Sequence, residues 1–220
     1  MQRVKELDLA NIGLTRWPHL PLPHLITLNL SMNALDSRPS AESSSVNHVV
    51  IRLDRLRHLD LSRNRLTQVP HFLWPSTPLL KQLDLSYNPI RSLNRDVFTG
   101  LSRLQHLILQ PLPVLESIEP DSFHPLSYLT QLKIQAWPAP PMSQLLEGLN
   151  GLRRLSVEVR GPILSAQLNH IASLDAAPKL RDVEIFGQQL KTIQTEAFAQ
   201  IGLHTLPECS LTIKVRGNSL

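Results

Sequence analysis

Residues 56–66, LRHLDLSRNRL, place leucine at the first, fourth, sixth and eleventh positions and asparagine at the ninth. A helix that buries one face repeats its apolar residues three and four apart, and a half-buried strand alternates them. This stretch does neither over its full length. Its one short alternation, Leu59-Asp60-Leu61, reads as a strand whose two leucines point one way and whose aspartate points the other. Leu56 and Leu66 lie in the bends on either side and fill the same interior. The pattern returns at 80–90 as LKQLDLSYNPI, 24 residues on. A period of that length signals a stack in which every turn repeats one supersecondary unit.

Aligning the chain on this frame puts unit starts at Val4, Leu25, Leu56, Leu80, Leu104, Leu129, Leu152, Leu180 and Ser210, a single solenoid of about nine units over residues 1–220. LITLNLSMNAL (25–35) is a clear copy, and LQHLILQPLPVL (104–115) carries one extra residue. VKELDLANIGL (4–14) has its asparagine one place early, at Asn11; LRDVEIFGQQL (180–190) and SLTIKVRGNSL (210–220) are looser copies. No unit buries its leucines alone, so stacked units share one continuous core. With 42% hydrophobic residues the chain has enough apolar material for that core, which excludes wholesale disorder. Only 8 glycines against 18 prolines point to many ordered turns rather than flexible linkers.

On these motifs the chain resembles the leucine-rich repeat family over essentially its whole length. The resemblance implies an α/β repeat solenoid, a curved horseshoe with a parallel β-sheet on the concave face and loops, turns and short helices on the convex face. Asn33, Asn64, Asn88 and Asn218 stand where the chain turns out of each strand. A buried carboxamide there offers donors and an acceptor to backbone groups that no regular ladder reaches, so this asparagine ladder is structural. Its position is taken elsewhere by Ile12, by Pro-Leu-Pro at 111–113, by Trp137, by Arg160 and by Gln188, which predicts irregular turns around 111–113, 137–141 and 160–163.

The outer halves IRSLNRDVFTGLSRL (90–104), LESIEPDSFHPLSYL (115–129) and LKTIQTEAFAQI (190–201) share a phenylalanine. Phe98, Phe123 and Phe198 are expected to stack as a convex-side spine. The 24-residue unit with this phenylalanine resembles the typical extracellular subclass of the family, found in chaoptin-like and Toll-like ectodomain arrays. Three segments depart from the plain unit. Residues 36–50, DSRPSAESSSVNHVV, read as a solvent-exposed loop. MSQLLEGL (142–149) reads as a short helix with Ser143 as N-cap and Leu145, Leu146 and Leu149 inward. LSAQLNHIASL (164–174) places Leu164, Leu168 and Ile171 on one helical face.

No phosphate-binding glycine loop, nucleophile elbow or metalloprotease motif occurs, so no catalytic or cofactor-binding residue is assigned. His58 and His106 share a repeat column with Gln82 between them. At strand spacings of about 4.8 Å they stand about 10 Å apart, too far to share a metal, and read as surface histidines. Cys209 is alone, which excludes an internal disulfide and a cysteine-ligated zinc site. No run of about 18 apolar residues is present, so no direct membrane insertion by this segment is expected.

Recognition is the reading left. The solvent-facing strand positions form the concave surface, a polar sheet suited to a protein partner. Its candidate contact residues are His58, Asp60, Arg63, Gln82, Asp84 and Tyr87, with Arg63 and Tyr87 the anchors by residue type. Asn29-Leu30-Ser31 is an N-glycosylation sequon on the same face. The net charge is +4, and residues 1–110 carry 13 Lys/Arg against 8 Asp/Glu. An excess of that size is ordinary for a solvated surface, and it is also of the kind that attracts an anionic surface, glycan or nucleic acid; of these, contact of the basic N-terminal half with an anionic glycan is retained and nucleic acid is not. Family members outside the cell close their solenoids with cysteine-containing caps, and the chain shows neither cap nor leader, so a segment of a longer protein is expected. The function expected is a non-enzymatic recognition segment of a cell-surface or secreted adhesion or receptor protein. An intracellular scaffold is the rival, and a sensor attached to a catalytic domain elsewhere is the third reading.

Overall fold

The computed structural model describes residues 4–37, 53–136, 142–159, 177–187 and 212–217. Trp137, Arg160, Gln188, Phe198, Cys209, Asn218 and the helix expected at 164–174 lie outside them. Each unit contributes one strand to the main sheet: β1 (Glu6–Asp8), β2 (Thr27–Asn29), β3 (His58–Asp60), β4 (Gln82–Asp84), β6 (His106–Ile108), β8 (Gln131–Gln135), β9 (Arg154–Glu158), β10 (Asp182–Gly187) and β11 (Thr212–Gly217). These nine strands run parallel in the order β1-β2-β3-β4-β6-β8-β9-β10-β11. Two short strands, β5 (Ser92–Leu93) and β7 (Ser117–Ile118), pair on the outer side of the repeats.

The register follows the sequence frame without slippage. Leu28, Leu59, Leu83, Leu107, Leu132, Leu155, Val183 and Ile213 are successive Cα partners along the sheet. Leu28 pairs in turn with Leu7, and the leucines within the row are sandwiched between repeats. A buried leucine contributes about 1.5–3 kcal/mol, so the stack gains stability only as the row lengthens. Leu25, Leu56, Leu80, Leu104, Leu129 and Leu152 are all fully buried behind it.

How the chain leaves the strand differs along the solenoid. Met32, Arg63 and Tyr87 adopt left-handed backbone at φ near 56°, 55° and 56°, one residue before Asn33, Asn64 and Asn88. Asn64 Nδ2 donates to the carbonyls of Leu30, Leu61 and Ser62, and its Oδ1 accepts from Leu35 N–H. Asn88 repeats the set on Leu61, Leu85, Ser86 and Leu66 N–H. Asn33 does the same with Leu9, Leu30 and Ser31 and accepts from Leu14 N–H. Each amide thus binds its own turn and the preceding repeat together. The strands from β8 onward hold five or six residues instead of three. The last residue of β10, Gly187, leaves no room for a side chain, since a Cβ there would stand 2.3 Å from the Val159 carbonyl oxygen.

Several expectations need correction. Asn11 is not a displaced ladder residue; it occupies the left-handed position itself, at φ 55°, and Ile12 behind it is exposed. The turn at 110–113 is irregular as expected, because Pro111 is unable to take positive φ. There Leu112 N–H finds the Oε1 of Gln135, so a buried glutamine two places before Trp137 supplies part of the missing ladder. The helix near 142 spans Met142–Leu145, which puts Ser143 inside it rather than at its cap; Leu145, Leu146 and Leu149 are buried. Of the segment expected as an exposed loop at 36–50 only the first two residues are described: Asp36 forms a parallel backbone β-bridge with Arg65, and the buried Ser37 hydroxyl accepts from the N–H groups of Thr67 and Gln68, while 38–50 lie outside the described residues.

Phe98 and Phe123 stack with centroids 5.8 Å apart and are fully buried. Trp74 holds the equivalent place in the preceding unit. It stands 18 residues after its unit start, as Phe98 does after Leu80, on a 3-10 helix over His71–Ser76, and its indole N–H donates to Val97 O.

The ladder makes a quantitative prediction. Asn64→Ala and Asn88→Ala each orphan buried backbone groups and are expected to destabilise by about 3 kcal/mol in urea unfolding. Asn64→Asp keeps the acceptor but loses the donors and buries a charge, so it should be no better than alanine.

Candidate functional site

The sheet face turned away from the leucine core is built from two positions per strand. The first carries Thr27, His58, Gln82, His106, Gln131 and Arg154; the second carries Asn29, Asp60, Asp84, Ile108, Lys133 and Ser156. A shallow depression over β2 to β8 is lined by His58, Asp60, Gln82, Asp84, His106 and Lys133, among others. A second lies over β8 to β11 and is more charged, with Arg154 bonded to Asp182 at 3.2 Å.

The two columns are less open than their sequence positions imply. In the second, the side chains from β1 to β4 each accept a hydrogen bond from the N–H two residues on: Asp8 from Ala10, Asn29 from Ser31, Asp60 from Ser62 and Asp84 from Ser86. These short carboxylates and the amide close the bend that follows the strand. Asp60 and Asp84 are therefore partly committed to their own backbone. Burial, outweighing the hydrogen bonds from Ser86, pushes the Asp84 carboxyl above the usual carboxylate range, and Asp60 beside it adds to the rise.

In the first column Gln82 joins the two histidines. Its Oε1 lies 2.5 Å from His58 Nδ1 and its Nε2 lies 2.6 Å from His106 Nδ1. The amide oxygen accepts from His58, and the amide nitrogen donates to His106, whose Nδ1 must then be unprotonated. The reading of His58 and His106 as independent surface histidines is thus corrected: both are half-buried members of one bonded row. Burial, then the charges of His58 and Arg154, lower the His106 pKa below its ordinary value.

Arg63 and Tyr87 stand apart from these columns, at the edge where the chain leaves the strands. The Arg63 guanidinium carbon lies 3.9 Å from the centroid of the Tyr87 ring. Tyr87 is 47% exposed and Met32, one repeat before Arg63, is 51% exposed. The backbone links them directly, because Met32 N–H donates to Ser62 O and Arg63 N–H to Ser86 O. Sequence reasoning grouped Arg63 and Tyr87 with the sheet face and missed Met32, whose shared place in the repeat was the available signal. Among the described residues no group of three His, Cys, Asp or Glu is arranged to hold a metal ion, and no helix is long and apolar enough to cross a membrane.

The family model "Leucine rich repeat" matches residues 54–111. The chain is a leucine-rich repeat protein. It is 33% identical to Drosophila melanogaster chaoptin over 132 residues, covering 60% of this chain and 9% of chaoptin. It is 30% identical to Gallus gallus Tsukushi over 159 residues, covering 70% of this chain and 41% of Tsukushi. The chain therefore spans well under half of either relative. The crystal structure of the leucine-rich repeat domain of APL1B superposes with a TM-score of 0.56 at 18% identity, over 98% of this chain and 66% of that one. That likeness concerns the fold.

The electrostatics give two signed predictions. His106 has a folded pKa below its ordinary 6.5, so the unfolded chain binds the proton more readily. Its contribution to stability is complete above 6.5 and is lost as pH falls from there through the folded value; NMR titration of the ring should show the depressed midpoint. Asp84 has a folded pKa above 3.8, so its ionisation costs stability as pH rises through the folded value. Asp84→Asn, which copies the bond Asn29 makes, should raise the urea midpoint at neutral pH.

Proposed function

We propose that this chain is a non-enzymatic recognition segment of a cell-surface or secreted leucine-rich repeat protein, serving adhesion or receptor recognition of a protein partner. The observation that carries it is the Arg63–Tyr87 pair. Bulky side chains in left-handed backbone are uncommon, and here they are fixed by the asparagine turns behind them. The pair presents an aromatic face, a cation and the neighbouring Met32 on a rigid margin, so little side-chain freedom remains to be lost on binding. Beside it lies the polar floor of His58, Gln82, Asp60 and Asp84, which supplies directional contacts rather than apolar area. The extracellular placement is supported by the 24-residue phenylalanine unit and by the similarity to chaoptin and Tsukushi.

The test is a screen of this chain against an array of secreted proteins and ectodomains, followed by variants of any partner found. Tyr87→Ala is expected to weaken binding by about tenfold or more, with Arg63→Ala and His58→Ala contributing less. Arg95→Ala on the outer side should leave affinity unchanged. Equal loss from Arg95→Ala and none from Tyr87→Ala would move the contact to the convex surface and refute the proposal.

A further inference from the structure

Seven of the chain's 22 Lys and Arg residues recur on one line. Immediately before each strand a tight turn repeats: Leu56 N–H donates to Leu53 O, Leu80 to Thr77, Leu104 to Leu101, Leu129 to Leu126, Leu152 to Leu149 and Leu180 to Ala177. The residue at the corner, one before each unit start, is Arg55, Leu79, Arg103, Tyr128, Gly151 and Lys179 in turn. The residue just after each unit start is Arg57, Lys81, Gln105, Thr130, Arg153 and Arg181. Those residues form a continuous column. The carbonyl of Arg57 accepts from Lys81 N–H, that of Lys81 from Gln105, that of Gln105 from Thr130, that of Thr130 from Arg153, and that of Arg153 from Arg181. Lys5 continues it at the other end, through Ile26.

Arg55, Arg57, Lys81, Arg103, Arg153, Lys179 and Arg181 thus share the leading edge of the sheet. All but the half-buried Lys81 are exposed. Among the described residues none of the seven takes part in a salt bridge; the pairs formed are Arg91–Glu116, Arg95–Asp121 and Arg154–Asp182. The carboxylates closest along the chain are Asp54, beside Arg55, and Asp182, which Arg154 already holds. Tyr128, 66% exposed, stands midway between the two groups of cations. With about 4.8 Å per strand step, Arg57 to Arg181 spans about 24 Å.

We infer that this leading edge binds a linear sulfated polysaccharide, laid across the strands with sulfates on the two cation groups and a sugar ring against Tyr128. A row of flexible cations about 24 Å long matches an extended polyanion better than a single phosphate or a compact acidic patch. Exposed aromatics on which successive bases would stack are absent among the described residues of the edge apart from Tyr128, which disfavours single-stranded nucleic acid. A single line rather than a broad basic face disfavours a membrane surface. The inference extends the expected glycan contact beyond the N-terminal half, because the cations of this edge come from both halves of the chain. It rests on the extracellular reading, because sulfated polysaccharides meet proteins outside the cell.

The experiment measures affinity of the chain for a size-defined heparin dodecasaccharide by calorimetry across a salt series. Binding is expected to weaken steeply with salt, since released counterions drive it. Arg57→Ala with Lys81→Ala and Arg103→Ala, and separately Arg153→Ala with Lys179→Ala and Arg181→Ala, should each cost about tenfold or more and flatten the salt slope. Arg91→Ala with Arg95→Ala, exposed cations of the outer side, should cost little. The inference is overturned by no binding of the wild-type chain, by equal loss from the outer-side pair, or by tighter binding of single-stranded DNA of equal charge or of phosphatidylserine vesicles. Tyr87→Ala separates the two proposals: it should spare the polysaccharide while weakening a protein partner. Loss of the partner site alone leaves the edge standing, and loss of the edge alone leaves the partner site standing.

Discussion

A carboxamide with four hydrogen bonds sets the geometry on which everything else in this molecule depends. Asn64 reaches the carbonyl of Leu30 and the N–H of Leu35 in the repeat before it, and the carbonyls of Leu61 and Ser62 in its own. A buried turn without such a partner would leave several backbone groups unpaired at about 1–3 kcal/mol each. The amide removes that cost and fixes the distance from one repeat to the next. With the spacing fixed, each place in the repeat becomes a column through the whole solenoid, and the chemistry of a surface reduces to which residue recurs in it.

Legibility followed the same division. The strands, the in-register leucine row and the phenylalanine stack were readable because each rests on a residue type recurring at one offset, and Trp74 was overlooked only because its ring is not phenylalanine. Gln135 was not readable. It serves the ladder from a different offset, and only the three-dimensional path of the turn after Leu109 brings Leu112 N–H to it. The sheet face was legible as a set of positions, whereas the state of its side chains was not. That Asp60 and Asp84 turn to their own backbone, and that Gln82 ties His58 to His106, depends on distances between neighbouring columns that no linear pattern encodes.

The columns divide the work by side-chain length. Short acids and amides in the second sheet column reach only the next bend, and they are used to close it. Longer side chains in the first column reach across one strand spacing and bond to each other. The longest, at the two margins, extend beyond the sheet and remain available: arginines and lysines at the leading edge, Met32, Arg63 and Tyr87 at the other. A solenoid therefore spends its middle on holding shape and leaves its margins for contact.

The margins are also electrically separate. Arg57 and Arg63 are six residues apart in nearly extended chain, about 20 Å at most, while charges in solution are screened over about 8 Å at physiological salt. The acids between them, Asp60 and Asp84, are half-buried and accept hydrogen bonds from Ser62 and Ser86, and burial holds the Asp84 proton more tightly than usual. Hence the net charge of +4 is a poor guide to this surface. What a partner meets is a cationic edge, a hydrogen-bonding floor that carries Asp60 and Asp84, and an aromatic-cation margin. A change in salt acts strongly on the first and weakly on the last, so one rigid frame carries two surfaces that ionic strength can separate.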